Sequence, residues 1–193
     1  MKTKEYEIVK NFTYLQYCDY LQNKYGIGKA NYFTESWKRN GNASRTNEGL
    51  IAHHKYEDHA GKLSDPTWAP QYPYEWQLAE NIVYCDCLEH LFLHILICEY
   101  PASDKEIVGI GGICDFIVPE LNDLYSGWIT KQAWRKNCHN LVVNDKDAYL
   151  ILLKRFKDLK HPLFSERLLL KSSNPAGWSN ENNTRLYEEI KNL

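Results

Sequence analysis

Apolar residues recur with helical spacing at Tyr14, Leu15, Cys18, Leu21 and Tyr25, and the run stops at Gly26. Thr13 and Gln16 have the spacing of a capping box, so the pattern predicts a helix over 14–25. Residues 27–48 are polar and broken by Gly and Asn, with SWKRNGN at the centre, and read as loop with at most a short strand or helix. GLIAHH is a short apolar run ending in two histidines, and its length predicts a strand. Residues 58–76 carry Pro66, Pro70 and Pro73 among Trp68, Tyr72, Tyr74 and Trp76. That predicts a long connection, too rich in proline for a continuous helix, whose aromatic rings pack down onto the body of the protein.

NIVYC predicts a second short strand. Asp86 and Glu89 then have the N-cap and N3 spacing of a helix that runs through CLEHLFLHILICEY and stops before Pro101. SDKE is positioned to start another helix through IVGIGGICDFIV, weakened by its glycines and ended or bent by Pro119. KQAWRKN, DKDAYLILLKRFKDLK and NTRLYEEIKNL complete a mostly helical C-terminal half. Neither an internal repeat nor a linker divides the chain, and its 193 residues suit one domain.

Composition supports a real core: 44% of residues are hydrophobic, and 14 Tyr and 6 Trp make much of that core rings with polar tips. The longest apolar runs break well before the 18 residues or so of a membrane span. MKTKEYEIVKNF lacks the apolar segment of a secretory signal. The expectation is a cytoplasmic protein, without membrane contact, whose six cysteines are reduced. Charge is unevenly spread: residues 128–171 hold ten Lys/Arg against four Asp/Glu, while residues 85–125 hold eight Asp/Glu against Lys105. A mildly acidic protein of net charge −2 can therefore still present a basic face.

His90 and His94 stand four residues apart, which puts both imidazoles on one face of the predicted helix, one turn from each other. That separation suits two ligands of one metal ion. Leu88, Leu91, Phe92 and Ile95 already supply an apolar face, so packing does not require the histidines. His53 and His54 end the first predicted strand, and side chains of neighbouring residues there point apart. Asn81 opens the second strand. A strand ending in two histidines, an asparagine-led strand and an HxxxH helix form a joint pattern much rarer than its parts.

In LIAHH and ENIVYCDCLEHLFLH, with its N-x8-H-x3-H spacing, the chain resembles the HNH nucleases, also called His-Me finger or ββα-metal nucleases. The resemblance covers residues 48–98. It implies an α+β fold in which a ββα-metal core of two short strands and a helix is embedded in a mostly helical domain, with 1–47 and 99–193 as helical elaborations. It also implies roles: His53, His90 and His94 as ligands of one divalent ion (Zn, Mn, Ni or Mg), His54 as the general base, and Asn81 as the brace that orients His54. A neutral imidazole accepts a proton near physiological pH, which suits His54 to that task.

Two departures from the family stand out. The gap from His54 to Asn81 is long, so 58–76 must loop out, and the paired CxxC motifs of many members are absent. Glu57, Asp58 and His59 are candidate further ligands, although such a cluster reads first as a solvated loop. His139 and His161 read as surface residues, Cys87 as core, and GIGG lacks the Lys-Ser/Thr of a phosphate loop. Lys38, Arg39 and Arg45, with Lys131, Arg135 and Lys136 from the second half, are the candidate phosphate contacts. The expected function is a metal-dependent endonuclease acting on nucleic acid, DNA before RNA. The alternative is a non-catalytic nucleic-acid- or protein-binding module that keeps a structural metal.

Overall fold

The computed structural model describes residues 1–102, 108–174 and 176–192. The fold is α+β. Helices α1 (Thr3–Val9) and α2 (Tyr14–Tyr25) precede strand β1 (Ile51–His54), strand β2 (Ile82–Cys85) and helix α3 (Cys87–Glu99). The rest is helical: α4 (Val118–Tyr125), α5 (Ala133–Val142), α6 (Lys146–Asp158), α7 (Glu166–Leu170) and α8 (Thr184–Ile190). Among the described residues no helix is long and apolar enough to cross a membrane.

The capping box expected at α2 is present, with the Gln16 amide donating to Thr13 and the Gln16 side chain accepting from the Thr13 amide. Asp86 and Glu89 form the same device at α3. Asp86 Oδ1 accepts from the Leu88 and Glu89 amides at 2.8 Å, while its other oxygen pairs with the Met1 amino group. Such a cap contributes about 1 kcal/mol. It also fixes where the helix begins, and hence which way His90 and His94 face.

Helix α3 is buried almost all round, with Leu88, Leu91, Phe92, Leu93, Ile95, Leu96 and Ile97 at 0% exposure. Helices α2, α5 and α6 and the turn before α4 surround it. Each large apolar side chain buried there contributes about 1.5–3 kcal/mol. The hydrophobic core takes residues from Met1 to Ile190, so the helices on both sides of residues 48–98 share it.

Strands β1 and β2 pair antiparallel, with His53 opposite Val83 and His54 opposite Ile82. Their two faces have different company, as period-2 alternation requires. Val83 and Cys85 belong to the main core around α3, whereas Ile82 and Tyr84 join a smaller cluster with Tyr32, Phe33 and Leu50. His53 therefore faces α3 and His54 faces the small cluster.

The structure departs from the sequence reading at several points. Helices α1 and α7 were not expected; both are short, and α1 is held by burying Tyr6 and Val9. The expected helix start at SDKE lies outside the described residues. Pro119 does not end its helix: residues Gly112–Ile117 form a π-helical turn that runs directly into α4, with Pro119 in the first turn of that helix. His139 is not on the surface but buried, paired with Glu120, and His161 lies against Phe156. The 58–76 connection packs down in part: Tyr74 donates to the Phe33 carbonyl at 2.9 Å and meets the Trp37 ring, and Trp76 stacks with Tyr56 at 4.9 Å and Tyr72 at 5.5 Å, while Trp68 stays exposed.

Candidate metal centre

Three imidazoles from two elements meet one carboxylate. His53 ends β1, His90 and His94 project from α3, and Glu57 returns from the turn after β1, where its amide donates to the His54 carbonyl at 3.0 Å. One donor atom from each of the four lies within 4.8 Å of all the others. The close pairs are His90 Nε2 to His94 Nε2 at 3.2 Å, His94 Nε2 to Glu57 Oε2 at 3.4 Å and His53 Nδ1 to Glu57 Oε2 at 3.5 Å. Ligands about 2.0–2.1 Å from one zinc ion in a tetrahedron stand roughly 3.3–3.4 Å apart, so these three separations match such a site and the full set could close on an ion.

The surrounding hydrogen bonds aim the imidazole lone pairs inward. Tyr14 gives its single proton to the His54 carbonyl at 3.2 Å, so its oxygen accepts from His53 Nε2–H at 2.8 Å. His53 Nδ1 is left unprotonated, buried and without a hydrogen-bond partner among the described residues. The Gly109 carbonyl can only accept, so His94 Nδ1 donates to it at 2.9 Å and Nε2 turns its lone pair to the cluster. Metal-binding histidines are held by outer partners in this way. His90 Nε2 lies 3.2 Å from His94 Nε2, so with its proton on Nδ1 it turns a lone pair to the same point.

Ionisation matches. Burial holds the His53 imidazole neutral, with its pKa down to about 3, and lowers that of His90 as well. Burial acts to raise the Glu57 carboxyl, while positive charge at the positions of the His53, His94 and His54 rings, a proton or a cation held between them, draws it well below the usual carboxylate range. Neutral imidazoles and one carboxylate are the protonation state a divalent cation requires. The residues fit a metal ion, and we expect a chelator to destabilise the protein. At a metal concentration about 1,000 times Kd the ion is worth about 4 kcal/mol, or roughly 8–16 °C in Tm for a chain of this size. A melting curve unmoved by chelator, for protein purified with metal, would remove the centre.

His54 stands beside this set. It is 0% exposed, its Nε2 lies 2.9 Å from Gln77 Oε1, and its ring meets the edge of Tyr32 at 4.4 Å between centroids. The Gln77 amide nitrogen donates to the Leu63 carbonyl at 3.3 Å, which turns its oxygen toward His54. His54 Nε2 is thus the protonated nitrogen, and Nδ1 faces Glu57 Oε1 at 3.4 Å.

Asn81 does not touch the His54 ring. It lies in a turn ahead of β2, donates from its side chain to the Glu75 carbonyl at 2.8 Å, and accepts from the Lys55 amide at 2.9 Å through its backbone. It braces the chain on either side of the site, and Gln77 makes the direct contact with His54. Sequence reading missed Gln77, Tyr14, Gly109 and Gly112, and took Glu57 first as a solvated loop residue. Glu57 could have been found from the HHxxE spacing, because a tight turn after a strand returns the third or fourth residue to the strand end.

The candidate phosphate contacts divide. Lys38 and Arg39 are exposed, and the Arg39 guanidinium lies 4.6 Å above the Tyr32 ring that edges His54. Arg45 is tied to Glu48 and the Tyr25 carbonyl and covers the Tyr84 ring. Arg135 pairs with Glu120 and stacks on Trp128 and Trp134, while Lys131 and Lys136 are exposed around it. Compared with family models, curated proteins and solved structures, the chain matches none.

Proposed function

We propose that this chain is a metal-dependent phosphodiester hydrolase of the HNH type, with nucleic acid as substrate and DNA as the first form to test. One observation carries the reading. An imidazole that the candidate ion does not use, His54, has its Nδ1 3.4 Å from the same carboxylate that His53 and His94 approach.

In this reading β1, β2 and α3 are the ββα-metal core, and His53, His90 and His94 hold a divalent ion together with Glu57. A bound ion would offset the negative charge that grows on phosphate and leaving oxygen. In the neutral ring Gln77, by accepting from Nε2–H, leaves Nδ1 as the nitrogen that takes the proton of the attacking water. Tyr14 ties the two halves together, because one hydroxyl contacts the His53 ring and the His54 carbonyl. Arg39, stacked over Tyr32, is the cation best placed to hold a neighbouring phosphate.

A second reading, a non-catalytic module with a structural ion, draws on the four-donor set and the complete burial of His54. Closed sites of four protein ligands are typical of structural zinc. The test is direct. Supercoiled DNA, single-stranded DNA and RNA are incubated with the protein and Mg, Mn, Ni or Zn, with and without chelator. Cleavage that requires a metal is the expected result; no cleavage of any substrate with any metal leaves the structural reading in place.

A further inference from the structure

Glu57 meets both halves of the site with a single carboxylate. Oε2 lies 3.5 Å from His53 Nδ1 and 3.4 Å from His94 Nε2; Oε1 lies 3.4 Å from His54 Nδ1 and 3.3 Å from the His54 amide. One oxygen is on the ligand side, the other on the base. In a hydrolase of the class proposed above, the group between ligands and base is the scissile phosphate with its attacking water. A carboxylate resembles one edge of a phosphodiester: two oxygens on one atom, a shared negative charge and the same capacity to accept hydrogen bonds.

We infer that Glu57 is an internal stand-in for the substrate phosphate, a ligand that must leave before an oxyanion can enter. The inference rests on the hydrolase reading and explains why a candidate base is completely buried. His54 is covered on its reactive nitrogen by Glu57 and on the other by Gln77, which is itself tied to Leu63. Glu57 also has room to move that His53 and His54 lack. It stands on a turn, its side chain is 18% exposed, and the His53 and His54 side chains around it are 0% exposed on a paired strand. The resting protein thus holds four ligands, and an anion competes for the fourth place.

Cobalt(II) and dimethyl phosphate test this without reference to cleavage. Cobalt-loaded wild type, Glu57→Ala and Glu57→Gln are titrated with dimethyl phosphate while the visible cobalt bands are followed. In Glu57→Ala the bands are expected to shift saturably at concentrations at least about tenfold below those needed for wild type, and cobalt itself to bind at least about tenfold more weakly. Glu57→Gln keeps the shape, loses the charge and is expected to fall between them, so the test stands if the alanine variant does not fold. Equal response in all three proteins, or response in none, overturns the inference. Absence of cobalt bands in wild type before any titration overturns the metal centre too. Cobalt bands that respond as expected in a protein that cleaves no nucleic acid remove the hydrolase reading and leave Glu57 as the occupant of an anion position.

Discussion

Gly112→Ala is expected to release the metal ion, whereas Gly111→Ala, one residue earlier, is expected to leave it bound. A Cβ on Gly112 would lie 2.3 Å from His94 Cε1 and 2.6 Å from its Nδ1, a separation no side chain tolerates. The ring must give way, and it can do so only by breaking its bond to the Gly109 carbonyl and swinging Nε2 out of the cluster. Metal affinity should fall about 10–100-fold or more, the range seen when even an outer partner of a ligand is lost. A Cβ on Gly111 meets nothing within 4 Å. Glycine-to-alanine exchange at a helical position without contacts stabilises by about 0.4–1 kcal/mol, so the backbone alone predicts a gain at both sites. The two variants therefore have opposite expected signs. Competition for zinc with a chromophoric chelator reads the affinity, and unchanged zinc binding in Gly112→Ala would sink the placement of His94.

What the sequence made legible was local. The capping boxes at Thr13 and Asp86, the two short strands, the stop before Pro101 and the one-face pairing of His90 with His94 follow from spacing along one element, and each is present. The contributors that were missed reach the site across the chain. Tyr14 is an apolar-face residue of α2 by its periodicity, and only the packing of α2 on β2 brings its hydroxyl to His53. Gln77 sits in a Pro-rich connection whose path no periodicity describes. GIGG looked like a weakness in a helix. In three dimensions Gly109, at φ +84°, offers its carbonyl to His94, and Gly112 leaves room for the imidazole that β-carbon would displace. The glycines shape the ligand set from a separate segment, and the π turn that follows carries the chain past Pro119. Arg45 shows the converse: its charge suggested a phosphate contact, yet Glu48 and the Tyr25 carbonyl engage it. Formal charge along a chain does not say which cations are already paired.

The adjacent histidines are expected to fail in different ways, and this asymmetry tests the assignment most sharply. His53→Ala removes a ligand whose other nitrogen is held by Tyr14, so metal binding is expected to be lost together with the stability the ion confers. His54→Ala removes no ligand of the candidate set, and one equivalent of metal should remain. Hydrolysis should nevertheless fall about 10²–10⁴-fold, the usual contribution of a general base. A confounding effect has to be separated out. Without His54, Gln77 Oε1 is left buried and unsatisfied, which costs about 1–3 kcal/mol. A double variant, His54→Ala with Gln77→Leu, removes both partners of that bond but also the donor to the Leu63 carbonyl, so it should recover part of the stability while recovering none of the activity. Activity that returns with stability would mean His54 served the fold alone. A His54→Ala protein that keeps its metal and cleaves at the wild-type rate would end the case for it as the base, and the site would then be a structural ion bound by His53, Glu57, His90 and His94.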